Sequence, residues 1–268
     1  MGIRLGSVVL SASIAVAFCS HAAVGASEVR SADQKQAEQI LKSMSDYLGK
    51  QDKMSFEYDS NLEIVTTENQ KVGLASSGTL VLSRPSGVRA TRVGGFANIE
   101  MVFDGKTVTF VNNETKEYAQ EEIPGTVENL IDVLRLQYKK GLPAADLLRS
   151  DFYSLIKPSV TDIKDLGSGV IRGKECDHIA LRTAFVDIEL WIAQGGSPYP
   201  CRMTLTSKDV NGNPQYTVDV REFKAGEQAR IGDFDFVAPA GAKQVPPRDL
   251  VDFDELPEIF KANRVGGN

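Results

Sequence analysis

The sequence element with the clearest chemical potential is Cys176-Asp177-His178. Cys176 and His178 are two residues apart on a predicted strand, so both side chains point to one side and a thiol–imidazole pair is conceivable. Catalysis needs more, because the base requires an orienting group and the reacting substrate requires an oxyanion site. Neighbours on one strand also rarely align for proton transfer. The simpler interpretation is a half-buried histidine, and we do not expect an enzyme.

The same residues offer a poor metal site. Cys176, His178 and Cys201 supply three ligands, and no fourth ligand follows at motif spacing. The sequence contains no Gly-rich phosphate loop, serine elbow or zinc-binding helix motif. We therefore expect no metal and no cofactor.

The N-terminal residues predict export. Arg4 precedes an apolar run at residues 8–18, and small residues follow at 24–26. This order is typical of a secretory signal peptide, here residues 1–26, and the apolar run is too short for a comfortable membrane span. We expect a soluble exported protein that begins near Ser27 and has no transmembrane segment.

Removal of the signal peptide on export would leave two cysteines, Cys176 and Cys201. A disulfide between Cys176 and Cys201 can persist in an oxidising compartment. In an ideal three-strand meander, however, their Cα atoms would be about 9 to 10 Å apart, which is beyond disulfide reach. A bridge needs Cys176 to lie past the end of the middle strand, or a bulge. The oxidising compartment favours a disulfide and the ideal strand register opposes it, and on balance we expect the Cys176–Cys201 disulfide.

The charge pattern disfavours nucleic acid as a partner. The 268 residues carry a net charge of −6 and show no basic stripe. Binding to phosphates requires clustered Lys and Arg side chains. We expect no nucleic-acid partner, and we expect a monomer.

Apolar periodicity predicts a mainly β protein. Residues 31–48 have helical spacing, and residues 99–120 predict a hairpin that turns at Asp104-Gly105. Alternation with a period of two predicts further strands, which lie at 54–65, 71–83, 88–93, 116–123, 176–183, 186–193, 201–207, 216–220 and 231–237. The result is one α+β domain with about ten or eleven antiparallel strands and helices on one side of a curved sheet.

Two segments stand apart from the strands. Helical spacing within residues 126–156 predicts short helices that interrupt the sheet and form a lid. Residues 246–268 form an acidic, proline-containing tail with a short helix predicted near residues 250–260. We therefore divide the exported chain into a domain at residues 27–245 and this tail.

Several segments resemble the periplasmic lipoprotein carrier family LolA. The sequence GTLVLSRP at residues 78–85 is similar to the strand of that family that ends in Arg-Pro. The sequence DGKTVTF at 104–110 resembles its hairpin, and FDFVAPAGA at 234–242 resembles its terminal strand, with Ala238 in place of the first proline.

A second resemblance covers nearly all of the mature chain. It is to a family of uncharacterised predicted periplasmic proteins with a LolA-like fold. The segments that carry it are YAQEEIPGT at 118–126, LPAADLL at 142–148, CDH at 176–178 and PCR at 200–202. This resemblance implies a periplasmic location.

The resemblance to LolA implies an unclosed β-barrel, as in LolA and LppX, whose concave apolar face is covered by helices and accommodates acyl chains. In that family the Arg before Pro tethers the helical lid and is needed for ligand release. Arg84 occupies the matching position. The alternative for Arg84 is a purely structural role, in which it caps a strand end and bonds loop carbonyls.

Two functions follow as expectations. The first is a carrier that holds a lipid, a lipoprotein or another hydrophobic ligand on the concave face. The residues that would bind the ligand are Met54, Phe56, Tyr58, Leu62, Leu74, Leu80, Arg84, Met101, Phe103, Leu130 and Leu134. The second is an envelope sensor or regulatory protein that binds a membrane-anchored partner, with Trp191 and the acidic tail as candidate contacts.

Overall fold

The structure, a computed structural model, describes residues 20–95, 97–138 and 144–250, with side chains from residue 32 onward. Most of the predicted signal peptide, residues 1–19, therefore lies outside the described residues. The helix predicted near residues 250–260 does so as well, apart from its first residue.

The described chain is built from long strands with a few helices. The helices are α1 (Ser20–Gly49), α2 (Val127–Leu136) and α3 (Phe152–Ile156), with a short 3₁₀ turn at Ala145–Leu148. The first six strands are β1 (Lys53–Val65), β2 (Lys71–Ser83), β3 (Gly87–Gly94), β4 (Ala97–Phe103), β5 (Thr107–Asn112) and β6 (Glu117–Glu122). The remaining strands are β7 (Asp162–Ile171), β8 (Lys174–Arg182), β9 (Val186–Ala193), β10 (Pro200–Ser207), β11 (Gln215–Ala225) and β12 (Lys243–Gln244).

These strands form one 12-stranded sheet in the order β12-β6-β5-β4-β3-β2-β1-β11-β10-β9-β8-β7. Every pairing is antiparallel except that of β12 with β6. Strands β6 and β7 follow each other in the chain but lie on opposite sides of the sheet, so the connection between them carries α2 and α3 across one face. This confirms the expected mainly β class with an unclosed antiparallel sheet.

The face that the helices cover, called the concave face below, holds the main core. Leu41 and Met44 of α1 are buried, and so are Met54, Leu82 and Phe103 of the sheet. Full burial of a side chain of this size contributes about 1.5 to 3 kcal/mol. Helix α1 lies over β7 and β8, which fixes one side of the core.

The prediction of a strand at residues 231–237 is wrong. This segment makes no strand pairing and instead crosses the opposite, convex face of the sheet. Phe234 lies against Gly87, where an added Cβ would be only 2.7 Å from the ring, and Phe236 packs on Tyr118 at 5.0 Å between ring centroids. Its alternating phenylalanines thus reflect packing on one side of an extended strap, not pairing within the sheet.

Two strands, β7 and β12, were not predicted from the sequence. In strand β7, residues 165–169 are polar or glycine apart from Leu166 and show no apolar alternation, and the strand contains a register shift between Asp165 and Ser168. Strand β12 has only two residues. Neither offers the periodic signal on which strand prediction depends.

The expected disulfide is also wrong for this structure. Cys176 and Cys201 are both free and buried. They lie on β8 and β10, which are separated by β9, and Cys176 pairs directly with Ala193 of that middle strand. A bulge beside Cys201, between Pro200 and Arg202, brings the two residues into one small cluster without joining them.

Candidate functional site

Arg84 follows the end of strand β2 and ties together three separate segments. Its Nε donates to the backbone oxygen of Gln51 at 3.2 Å, after α1. Its Nη1 donates to Glu128 Oε1 at 2.9 Å in the first turn of α2, and its Nη2 donates to the backbone oxygen of Leu148 at 2.7 Å. The guanidinium side chain is only 11% exposed. Arg84 therefore links the sheet to α2 and to residue 148, with two of its three contacts made to backbone carbonyls.

Glu128 is held in its charged form. Burial alone would raise the pKa of Glu128, but hydrogen bonds from its own backbone N–H, from Ser150 and from Thr126 lower that pKa to about 2. Ser150 donates through both its backbone N–H, at 3.1 Å, and its hydroxyl, at 2.9 Å. Burial lowers the pKa of Arg84, and the Glu128 carboxylate opposes this effect. The pair thus remains ionic at neutral pH.

Two further ion pairs join the outer side of α2 to residues 146–151. Arg135 donates to both carboxylate oxygens of Asp146, at 2.9 and 3.0 Å. Asp132 accepts from Arg149 Nη1 at 2.8 Å. Because a planar guanidinium matches a carboxylate in geometry, these contacts set the orientation of α2 as well as its attachment.

Arg149 strengthens this connection from a buried position. Its side chain is 7% exposed and donates to both carboxylate oxygens of Asp151, at 2.8 and 3.1 Å. Hydrogen bonds from Arg149 to Asp151 raise the pKa of the arginine. Helix α2 and residues 145–151 are therefore one body held by polar links, and we call this body the lid.

The apolar side of α2 closes one end of the concave face. Its buried residues are Val127, Leu130, Ile131 and Leu134. They belong to the same core as Met54, Leu80 and Phe103. Five of the residues predicted to bind ligand are therefore buried in the chain's own apolar core, namely Met54, Leu80 and Phe103 of the sheet and Leu130 and Leu134 of α2.

The other end of the concave face is more open. The other residues predicted to bind ligand are only half-buried. Of these, Leu62 and Leu74 lie at this end, whereas Phe56, Tyr58 and Met101 pack against the main core. A groove runs along this end and has a volume of about 40 Å³, room for a few waters. The residues that line it are Ser60, Leu62, Leu74, Ala75, Ser76, Arg92, Gly94, Gly95, Ala97 and Tyr216.

Tyr58 marks the boundary between the two ends. Its ring crosses the strand position of Gly78, and its hydroxyl donates to the backbone oxygen of Thr91 at 2.8 Å. A Cβ at Gly78 would lie 2.7 Å from the ring and 1.9 Å from Thr91 O. Residue 78 must therefore be glycine for the ring of Tyr58 to lie across β2.

Sequence reasoning missed several residues of the groove and the lid. Ser60 and Ser76 share a 2.8 Å hydrogen bond across β1 and β2, and Tyr216 and Arg92 complete the lining. Arg92 could have been detected from the sequence, because this charged residue occupies a position of β3 that faces the apolar, concave side of the sheet. Glu128 could not have been detected from the sequence, because its role depends on a contact with Arg84, 44 residues earlier in the chain.

The Cys176-His178 pair lies on the convex face. His178 stacks on Trp191 with 4.1 Å between ring centroids, and its Nε2 lies 3.1 Å from Glu189 Oε2. Burial raises the pKa of both Cys176 and Cys201, so their thiols stay protonated and unreactive. The arrangement therefore does not favour nucleophilic chemistry.

Other functional sites are not evident in the part of the chain that the structure describes. Within it, no three His, Cys, Asp or Glu side chains are grouped so that they could hold a metal ion. None of its helices is both long and apolar enough to cross a membrane.

Solved structures with a similar arrangement are distant in sequence. An uncharacterised conserved protein from Thermus thermophilus is 15% identical, with a TM-score of 0.42 and coverage of 79% of this chain and 99% of that chain. The lipoprotein LppX from Mycobacterium tuberculosis is 14% identical, with a TM-score of 0.37 and coverage of 75% and 99%. A LolA superfamily protein from Nitrosomonas europaea is 9% identical, with a TM-score of 0.35 and coverage of 75% and 97%.

A comparison with curated proteins finds no match. A family model described as a predicted periplasmic protein matches residues 37–246, which include the lid, Arg84 and the groove. This match confirms the expected periplasmic location, and the chain belongs to this family of predicted periplasmic proteins, DUF2092.

Proposed function

We propose that the protein binds and carries a hydrophobic ligand, such as an acyl chain or a lipoprotein, on the concave face of its sheet. The observation that supports this proposal is the division of that face. One end is filled by the main core, which includes the apolar side of α2, while the other presents the half-buried side chains of Leu62 and Leu74 at a groove. Apolar surface of this kind, set in a concavity with a few polar groups, is typical of a ligand site.

The lid provides a route to a larger site. As described, the groove is too small for an acyl chain. The lid, however, is fastened to the sheet by Arg84, which contacts both of its parts, and an ion pair holds α2 and residues 145–151 together. Opening the lid would also expose the buried apolar side of α2, which a hydrophobic ligand could then cover. We propose that the lid swings away from β2 when the Arg84 contacts open, which joins the groove to the space under α2.

Binding of the neutral fluorescent amphiphile N-phenyl-1-naphthylamine tests the proposal. We expect saturable binding by the wild-type protein and a loss of at least tenfold in affinity in Leu74→Glu, because a carboxylate in the groove opposes apolar contact. Val93→Glu is the matched control, since Val93 is 51% exposed on the convex face of the neighbouring strand. Equal binding by all three proteins would contradict the proposal.

A second candidate function, binding of an envelope partner protein, is favoured by the edge of β7. Within the described residues β7 pairs only with β8, and its Leu166 and Val170 are 48% and 69% exposed. An unpaired strand edge with exposed apolar side chains beside it is a template on which a partner can add a strand. Trp191, a candidate partner contact, is half-buried and stacks on His178.

Capture from a periplasmic extract separates the two functions. Partner binding predicts a stoichiometric membrane-anchored protein that is lost with Val170→Lys and retained with Val93→Lys. Recovery of lipid without any such protein would favour the carrier.

A further inference from the structure

A second cavity on the concave face lies between the lid, strand β6 and residues 247–250, and we call it the side cleft. It is a mainly apolar space of about 30 Å³, room for about two waters. Phe110, Ala119, Leu134 and Leu250 line it, and all four belong to the main core. The side cleft therefore adjoins the core from the side, next to the buried residues of α2.

The strand register connects the side cleft to the groove. Ala119 pairs with Phe110 across β5 and β6, and Phe110 pairs with Met101 of β4. Along β4, the positions in phase with Met101 pass the buried Ile99 and reach Ala97, which lines the groove. By strand spacing and rise, this path is about 20 to 25 Å long. It suits one long acyl chain.

A short turn covers the outer end of the side cleft. Strand β12 pairs with β6 through two residues, and Pro246 and Pro247 follow. Proline has no N–H to donate to a sheet, so these residues do not continue the pairing. Leu250 then lies at the side cleft with a side chain that is 7% exposed. The cover is thus an apolar side chain that follows a turn, rather than a paired strand.

The polar groups of the side cleft restrict the head group of a ligand. Of the residues that line it, Glu121 is the one acidic residue, and none is basic. Glu121 has the phase of Ala119 and Ile123, which are both buried, so it faces the concave side. The Tyr138 hydroxyl donates to the Glu121 carboxylate, and this hydrogen bond raises the pKa of Tyr138. A carboxylate can accept from a second donor as well, whereas it repels another carboxylate or a phosphate.

We infer that the side cleft receives the head-group end of a single-chain acyl compound, whose uncharged head group donates a hydroxyl or amide hydrogen to Glu121. The chain runs past Phe110 and Met101 toward the groove when the lid opens, so its far end lies near Leu74. This inference rests on the proposed carrier function and specifies the ligand class and the ligand orientation in the same site.

Isothermal titration calorimetry with three sixteen-carbon acyl compounds tests the head group. The probes are 1-palmitoylglycerol, methyl palmitate and palmitate, each presented from the same concentration of methyl-β-cyclodextrin. The wild-type protein should bind 1-palmitoylglycerol about tenfold more tightly than either of the others, the value of one charge-assisted contact. Glu121→Gln should reduce the preference over palmitate to about threefold or less, because it removes the negative charge. Glu122→Gln, at the next and exposed position of β6, is the control and should leave the preference unchanged.

A change of chain length tests the orientation. Leu74→Glu should weaken the binding of 1-palmitoylglycerol at least tenfold, because its chain reaches the groove. The same variant should weaken 1-decanoylglycerol less than twofold, because the shorter chain ends before the groove. Val93→Glu, on the convex face, should bind both compounds as the wild-type protein does. Thermal unfolding of each variant establishes that it is folded.

The outcomes separate the inference from the function on which it rests. If the wild-type protein binds palmitate or methyl palmitate as tightly as 1-palmitoylglycerol, the head-group assignment is overturned, and this comparison needs no variant. An unchanged preference in Glu121→Gln, or equal weakening of both chain lengths by Leu74→Glu, would also overturn the inference while leaving the carrier in place. Failure of the wild-type protein to bind any of these acyl compounds would overturn both.

Discussion

Arg84 Nη1 donates a 2.9 Å hydrogen bond to Glu128 Oε1, so the end of a sheet strand is joined to the first turn of the lid helix. The same guanidinium reaches the backbone oxygen of Leu148 on the far side of the lid. One side chain thus holds both parts of the lid against the sheet. If the lid opens during ligand exchange, these are the contacts that must break.

Loss of Arg84 should loosen the lid more than the sheet. Arg84→Met removes three hydrogen bonds and leaves the Glu128 carboxylate partly buried, so we expect a loss of about 2 to 4 kcal/mol in unfolding free energy. Amide hydrogen exchange should quicken in α2 and at residues 145–151, while β8 and β9 keep their protection. Arg84→Lys should lose less, because it keeps the charge. Uniform exchange changes across the sheet would contradict the assignment of Arg84 to the lid.

Acid should weaken the lid through Glu128. The folded-state pKa of Glu128 is about 2, below the ordinary value of 4.5 that we assign to the unfolded chain. The resulting stability is fully present above pH 4.5 and is lost as the pH falls toward 2. The shift corresponds to about 3 kcal/mol if fully realised, and we expect about 1 to 2 kcal/mol because solvent reaches the pair.

Chemical denaturation between pH 2 and pH 7 measures this dependence. Glu128→Gln should remove part of the acid sensitivity, whereas Glu222→Gln, at an exposed position, should leave it unchanged. Identical pH profiles for Glu128→Gln and the wild type would show that the carboxylate is not stabilised as described.

Gly78 should tolerate no side chain. An alanine Cβ would lie 1.9 Å from Thr91 O, a backbone atom that cannot rotate away, so Gly78→Ala should cost more than about 2 kcal/mol. Gly95→Ala is the control, because no atom lies within 4 Å of its added Cβ, and it should change stability by less than about 0.5 kcal/mol. Thermal unfolding compares the two. A Gly78→Ala protein as stable as Gly95→Ala would refute the crossing of Tyr58 over β2.

The two cysteines should behave as buried free thiols. Because burial raises the pKa of Cys176 and of Cys201, a thiol reagent should react slowly with the native protein and rapidly with both residues after unfolding without reductant. Mass spectrometry after alkylation counts the modified residues. An unfolded protein that resists alkylation until it is reduced would contradict the structure.

Much of the sheet was predictable from alternation. Strands β1 and β2 carry apolar residues at most alternate positions, interrupted by Ser60, Ser76 and Gly78, and tight turns such as Asp104-Gly105 separate other strands. Strand β7 was not predictable, since most of its residues between 164 and 169 are polar or glycine and show no alternation. The strand predicted at residues 231–237 is absent because an extended segment that packs one side on a sheet shows the same apolar alternation as a strand.

The lid could be predicted only in part. The apolar side of α2 is visible in the spacing of Leu130 and Leu134, and the resemblance singled out Arg84. The partners of Arg84 were not predictable, because Glu128 and Leu148 are 44 and 64 residues away in sequence and their proximity depends on the complete fold. The same limit applies to the groove, which several strands assemble.

Native mass spectrometry of protein purified from its own periplasm, followed by organic extraction, tests the central claim most directly. We predict that the wild-type protein retains an acyl-chain compound and that Leu74→Glu loses it while Val93→Glu retains it. A wild-type protein that carries no bound mass and yields no extractable amphiphile would contradict the carrier account.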